Sequence, residues 1–393
     1  MTPAGRIAAS IGLLDRILTG EAAEHALTGW ARANRYAGSG DRAAVRDHVY
    51  DALRRLRSLT ALSGANTPSG RALLTGHLRA MGRNPEEMFT GEGYAPDPLN
   101  AAERVKLRAA PGADMLPELV ALDCPDWLGP QLKDSLGNDF APVLEAMRHR
   151  APVFLRVNAR RGSRNEVAVR IAEEGIETRT TPLASHALEV TAGERSIRNS
   201  VSYQQGFVEL QDASPQAAVE ALPLKRGMRI LDYCAGGGGK SLAIAARADC
   251  DVTAHDAEPR RMRDLPVRAA RAGAAVRIAK SDLQGQNYDL VLLDVPCSGI
   301  GTWRRDPDAK WKLTPEWLSD LLRVQEEILD QGSRLVAPAG TLAYMTCSLL
   351  GAENGGQIAA FLDRHPDWRL VEERSFTPLN GGDGFYSAHL TRV

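Results

Sequence analysis

Two rhythms of apolar and polar positions divide the chain. Over residues 1 to about 137, apolar residues recur at helical spacing, as with Ile7, Ile11, Leu14 and Leu18, and again through "DRAAVRDHVYDALRRLRSLTAL". Short polar loops separate these stretches, so an all-helical domain is expected at 1–137. From about residue 220 the rhythm shortens. Runs of a few apolar residues, "MRILDYC", "DVTAHD", "VRIAKSD", "YDLVLLDVP" and "GTLAYMTCS", alternate with helical stretches, which predicts an α/β domain with a doubly wound parallel sheet at 220–393. In between, "NEVAVRIAEEG" reads as a helix and "HALEV" as a strand, giving a small α+β module at 138–219.

Length and composition agree with that division. At 393 residues the chain exceeds one ordinary core, and 44% hydrophobic with 25% charged residues is the balance of a soluble globular protein. The opening "MTPAGRIAASIGLLDRILTG" is broken by Asp15 and Arg16, and no 18-residue apolar run occurs anywhere, so a cytoplasmic protein without membrane contact is expected. Five cysteines form no CxxC pair, which argues against a disulfide framework and a metal cluster. A monomer without metal is expected. The net charge of -1 supplies no global attraction to nucleic acid, so a polyanion has to be held by local patches. One candidate is "RHRAPVFLRVNARRGSR", with six arginines and no acid; a solvated loop explains it equally well.

The most informative stretch is "LDYCAGGGGKS", residues 231–241. It has the look of a phosphate-binding loop, but counting back from Gly239 and Lys240 puts Cys234 where that motif needs its first glycine. The phosphate reading fails on spacing. The glycines leave a strand and open a helix, where bare backbone lets a ligand approach closely. Asp232, Asp256, Asp282 and Asp294 each stand at or just beyond the carboxyl end of one of the first four strands. In an open α/β sheet these ends share one crevice. A single such acid is ordinarily a helix N-cap; four together would repel a triphosphate and suit a ligand with an ammonium, ribose hydroxyls and an adenine amine. S-adenosylmethionine carries all three.

Two thiols face the same end of the sheet: Cys297 in "DVPCSG" and Cys347 in "YMTCS". A lone cysteine is usually a small buried hydrophobe, and Cys124 and Cys250 are read that way. Two beside a methyl donor suggest methylation at carbon 5 of a pyrimidine. Thiolate addition at carbon 6 makes carbon 5 nucleophilic, and after transfer the carbon-5 proton leaves and the thiol is eliminated. One cysteine adds and the other assists release. A neighbouring cation, with Lys240 as candidate, favours the thiolate, and Asp294 can neutralise the anion developing on the base.

"LDYCAGGGGKS", "DVPCSGIGTWRRDPDAKWKL", "GTLAYMTCSLLGAENGGQIAAFL" and "GGDGFYSAHL" resemble, in order, motifs of the RsmB/NOP (Fmu/Sun, NSUN) RNA cytosine-5 methyltransferases. The resemblance implies that Cys347 is the nucleophile and Cys297 assists release. It also implies that Asp294 and Lys240 contact a flipped cytosine, that Asp256 holds the cofactor ribose and that Asp282 lies by the adenine. The expected cofactor set is then Asp232, Cys234, Ala235, Gly236, Gly237, Gly238, Gly239, Lys240, Asp256, Arg261, Asp282 and Asp294. The departure is in the loop, where the family usually reads CAAPGGKT and this chain has Gly236, Gly237 and Ser241. Glycine in place of proline adds ordering entropy. "GSGDRAAVRDHVYDALRRLRSL" is similar to the NusB-like helical, RNA-binding domain of the bacterial branch, which methylates 16S ribosomal RNA.

The expected partner is therefore RNA, ribosomal RNA first, with transfer RNA or a noncatalytic RNA-binding role as alternatives. A DNA cytosine-5 methyltransferase would use the Pro-Cys thiol, here Cys297, as nucleophile, and the TCS motif speaks against it. Arg304 and Arg305 are expected to meet RNA phosphate, whereas Trp303 and Trp311 suit either RNA or core.

Overall fold

A computed structural model describes residues 1–279, 283 and 285–393. The chain forms two compact units. One comprises Met1–Arg150 with Trp303–Lys312, the other Ala151–Thr302 with Leu313–Val393.

The first unit is helical. Thr2 caps the helix Pro3–Leu18 by accepting from the Gly5 amide, and the helices Ala23–Ala33, Ser39–Arg54, Leu56–Leu62 and Gly70–Ala80 follow. Their apolar stripes, among them Leu13, Leu14, Val45, Val49, Leu59, Leu73 and Leu74, converge on one core. The last two helices touch backbone to backbone: a Cβ on Gly76 would lie 2.0 Å from the Leu59 carbonyl oxygen. The decapeptide Trp303–Lys312 is part of this unit. Lys310 is buried and donates to the carbonyls of Arg54 (3.1 Å) and Asp123 (2.9 Å), and Trp311 Nε1 donates to that of Leu53 at 2.7 Å. Burial pushes the Lys310 ammonium down to about 8.

The second unit holds two sheets. Strands β1 (Val153–Val157), β2 (Glu177–Thr180), β3 (Ala187–Ala192) and β4 (Val208–Leu210) form an antiparallel sheet in the order β2-β3-β1-β4. Ser163 and Glu166 build a capping box on the accompanying helix Arg164–Glu173. The larger sheet contains β5 (Arg229–Asp232), β6 (Asp251–Ala254), β7 (Val276–Ile278), β8 (Tyr288–Asp294), β9 (Val336–Thr346), β10 (Trp368–Phe376) and β11 (Phe385–Arg392), in the order β10-β11-β9-β8-β5-β6-β7. The five strands expected from the apolar runs are parallel, with the order reversing between β5 and β8. The sheet departs from the all-parallel expectation at β11 and β10, which add antiparallel. β10 is exposed along most of its length, so no continuous apolar run marks it.

One charge expectation changes, at Arg304, while the arginine-rich segment keeps Arg160 and Arg161 exposed. Arg304 is buried, at 6% exposure, and its carbonyl accepts from Arg54 Nε; a guanidinium enclosed by protein is closed to RNA phosphate. In the arginine-rich segment, Arg156 is buried and donates to the Gly239 carbonyl. Arg160, Arg161 and Arg164 donate to the carbonyls of Ala248, Arg271 and Thr181, and Arg148 pairs with Asp123 and Glu145. These five brace the protein's own backbone and acids.

Candidate active site

The order reversal between β5 and β8 creates the crevice, because the loops leaving these adjacent strands diverge there. β5 ends at Asp232, and the chain then turns through the glycines into the helix Gly239–Arg247. Gly236 (φ 51°) and Gly238 (φ 78°) both adopt the left-handed conformation. At Gly238 space is also closed, since a Cβ would lie 2.2 Å from Leu265 Cδ1. The Gly236 amide donates to Asp256 Oδ2 at 2.8 Å, and Arg268 donates to the Gly237 carbonyl. The loop without the family's proline is thus held by two side chains from beyond β6. Ala235 donates to the His255 carbonyl, while Cys234 lies partly exposed with its thiol pushed up by burial.

Asp232 is fully buried. Ser241 Oγ donates to its Oδ2 at 2.6 Å, but Oδ1 has no partner among the described residues. Burial pushes this carboxyl up to about 7, against the hydrogen bond from Ser241. Asp256 Oδ1 accepts from the Glu258 amide, and Arg261 lies 3.4 Å from Oδ2. Oδ2 already faces the Gly236 amide and Arg261, whereas Oδ1, with one donor, keeps acceptor capacity for a hydroxyl. Asp294, closing β8, pairs with Lys240 Nζ at 2.6 Å. Burial opposes the Lys240 charge, but Asp294 outweighs it and raises the ammonium above an ordinary lysine. Asp282 lies outside the described residues.

The two sulfurs meet. Cys297, three residues past β8, and Cys347, one past β9, place their Sγ atoms 3.3 Å apart. Cys347 is lowered, chiefly by the hydrogen bond from Cys297 and further by Lys240, against burial, Asp294 and Glu353. The same bond raises Cys297 well above an ordinary thiol, with burial adding to it. The two shifts have opposite directions, so of the two thiols Cys347 is the one that ionises more readily. Behind them stands a group that sequence reasoning missed: Glu353 accepts from Ser298 and Ser348, the residues after the two cysteines.

The donor set fits S-adenosylmethionine. An orphaned buried carboxylate oxygen on Asp232 suits an ammonium, Asp256 retains room for ribose hydroxyls, and the glycine loop leaves bare backbone between them. The sheet order with its glycine loop at the switch point is a fold shared with known methyltransferases. The profile described as 16S rRNA methyltransferase RsmB/F matches residues 219–390, and that of the RsmF/B-like ferredoxin-like domain matches residues 124–195. Over these two stretches the chain is similar to the RsmB/F family. It is 32% identical to ribosomal RNA small subunit methyltransferase B of Photorhabdus laumondii and 35% identical to that of Vibrio cholerae, over 68% of this chain in both cases. The aligned stretch spans 66% and 65% of those relatives, just under two thirds of their length. A solved methyltransferase homolog from Pyrococcus horikoshii shares the fold, with a TM-score of 0.63 and 25% identity over 72% of this chain and 100% of that one.

Proposed function

We propose that the protein methylates carbon 5 of a cytosine in RNA, with 16S ribosomal RNA as substrate, through a covalent bond between Cys347 and carbon 6 of the base. The observation that carries this reading is the Sγ–Sγ approach of 3.3 Å beside the Lys240–Asp294 pair. S-adenosylmethionine, when bound, supplies the electrophilic methyl group. Asp232 and Asp256 would hold it through its ammonium and ribose, with Arg261 beside Asp256.

The base has to leave its stack to reach the crevice. Addition of the Cys347 thiolate to carbon 6 would place the displaced electron pair at carbon 5, the position to be methylated, and the bound donor would leave as its neutral thioether. Charge developing on the ring meets Asp294 and Lys240, held together so that a proton and a positive charge are both at hand. Once a water molecule has taken the proton from carbon 5, the pair left behind re-forms the 5,6 double bond and Cys347 is expelled. Cys297 contributes the hydrogen bond that keeps the departing sulfur anionic. The helical segment 1–137 is assigned to RNA binding, and the protein to action as a cytoplasmic monomer.

The substrate assignment is tested by bisulfite sequencing of ribosomal and transfer RNA from wild-type and deletion strains. Loss of one 16S cytosine signal, restored by the intact gene, is expected. An unchanged 16S profile with a lost transfer-RNA signal overturns the substrate, and no change in either overturns the chemistry.

A further inference from the structure

Glu353 sits at zero exposure in the short turn Gly351–Glu353 that follows β9. Its carboxylate accepts from the Ser298 amide (2.8 Å), the Ser298 hydroxyl, the Ser348 hydroxyl and Gln325 Nε2 (2.9 Å). An amide oxygen has two lone pairs where a carboxylate has about four, so this cluster of donors matches an ionised acid. Among the described residues no lysine, arginine or histidine pairs with it. A buried anion without a counter-ion is costly, and only complete hydrogen bonding makes it tolerable. That cost falls at one place, between the two cysteine loops.

The loops are joined twice. Residues 297 and 347 meet through sulfur at 3.3 Å, and residues 298 and 348 meet through their hydroxyls at 3.2 Å, both hydroxyls turned onto one oxygen of Glu353. Gln325 extends the brace by donating to the Pro296 carbonyl at 2.9 Å, and Asn354 donates to that of Ser348 at 3.1 Å. On the reading of the two thiols given above, we propose that Glu353 is a positioning residue that sets the spacing of Cys297 and Cys347 by holding Ser298 and Ser348 on a single carboxylate. Cut loose from it, the loops would keep only the Ser298–Ser348 hydroxyl contact, the sulfur contact and the bond from the Gly301 amide to the Cys347 carbonyl, none of which anchors both serines to a third element.

Spacing is read without RNA by diamide cross-linking of the whole protein. The two thiols surrender two protons and two electrons to the N=N bond, which becomes a hydrazine as the Sγ–Sγ bond forms; mass spectrometry follows the 297–347 linked peptide. In Glu353→Ala the link is expected to form about tenfold more slowly than in wild type, the scale on which small misplacements act. S-adenosylmethionine affinity should be unchanged, because Glu353 touches no cofactor residue. With RNA, the variant should accumulate the covalent adduct, as expected of Cys297→Ala, since Cys297 no longer meets the departing sulfur. General loosening of the fold would lower turnover and adduct together. If Glu353→Ala loses cofactor binding, Glu353→Gln, which fills the same space with fewer acceptors, takes its place and should also cross-link slowly. Wild-type cross-linking in a folded variant overturns the positioning role and leaves the cytosine chemistry standing. Absence of adduct in Cys297→Ala itself, with slow cross-linking in the Glu353 variant, overturns the role of Cys297 and keeps the geometric one.

Discussion

Lys240 Nζ lies 2.6 Å from Asp294 Oδ2 and 5.0 Å from the centre of the Phe385 ring. The first residue opens the helix after β5, the second closes β8, and the aromatic ring begins β11. Three elements therefore fix one charge beside the thiol pair. That charge favours the Cys347 thiolate, so Lys240→Met should slow alkylation of Cys347 by iodoacetamide at neutral pH and move its onset to higher pH. An unchanged alkylation profile would remove Lys240 from thiol activation.

Cys347→Ala deletes the proposed nucleophile. Methyl transfer should fall to background while S-adenosylmethionine affinity, measured calorimetrically, stays as in wild type. Turnover near wild type would reject the assignment.

Cys297→Ala keeps the nucleophile but removes its hydrogen-bond donor. A covalent protein–RNA band should appear on denaturing gels, because addition proceeds while expulsion stalls. Normal turnover without a band would show that Cys297 plays no part in release.

Asp232 gives a pH dependence of definite sign. Its folded carboxyl titrates near 7, against 3.8 ordinarily. Between those values the folded chain binds a proton that the unfolded chain lacks, so this group's stabilisation is full below about 4 and is lost as pH rises toward 7. Asp232→Asn should therefore gain stability relative to wild type between pH 4.5 and 7.5, on the order of a few kcal/mol. The same change should weaken cofactor binding. Parallel stability profiles for the two proteins would contradict the shift.

Gly238→Ala meets both a left-handed backbone and Leu265. A non-glycine residue there costs roughly 1–3 kcal/mol before the clash is relieved. Thermal melts should show lowered stability, and cofactor affinity should drop with it. Gly227→Ala, also at positive φ but with open space, separates strain from crowding and should keep cofactor affinity.

The parallel half of the sheet was legible in the sequence because β5, β6, β8 and β9 are buried runs that end in the residues of interest. β10 escaped notice because its polar residues face solvent and only its ends, Trp368 and Phe376, are buried. The meeting of Cys297 with Cys347 was anticipated from the adjacency of β8 and β9, and the Lys240–Asp294 pair follows from that of β5 and β8. Glu353 was not anticipated. A lone acid six residues after a cysteine has no periodic signature, and its role depends on bringing the Ser348 hydroxyl, five residues away, together with that of Ser298, 55 residues away on another loop. Arg304 misled for a related reason: charge density in a string of letters is silent about whether a side chain is enclosed.

The decapeptide Trp303–Lys312 means that the helical unit is assembled from two stretches of the gene separated by more than 150 positions. A fragment starting at residue 151 would carry Trp303 and a buried-type lysine stripped of their surroundings, while a fragment ending at residue 150 would lack the groups that satisfy the carbonyls of Leu53, Arg54 and Asp123. Neither half is a ready-made building block. Recombination that trades one N-terminal region for another has to exchange this internal ribbon as well, so the two parts are bound to diverge in step.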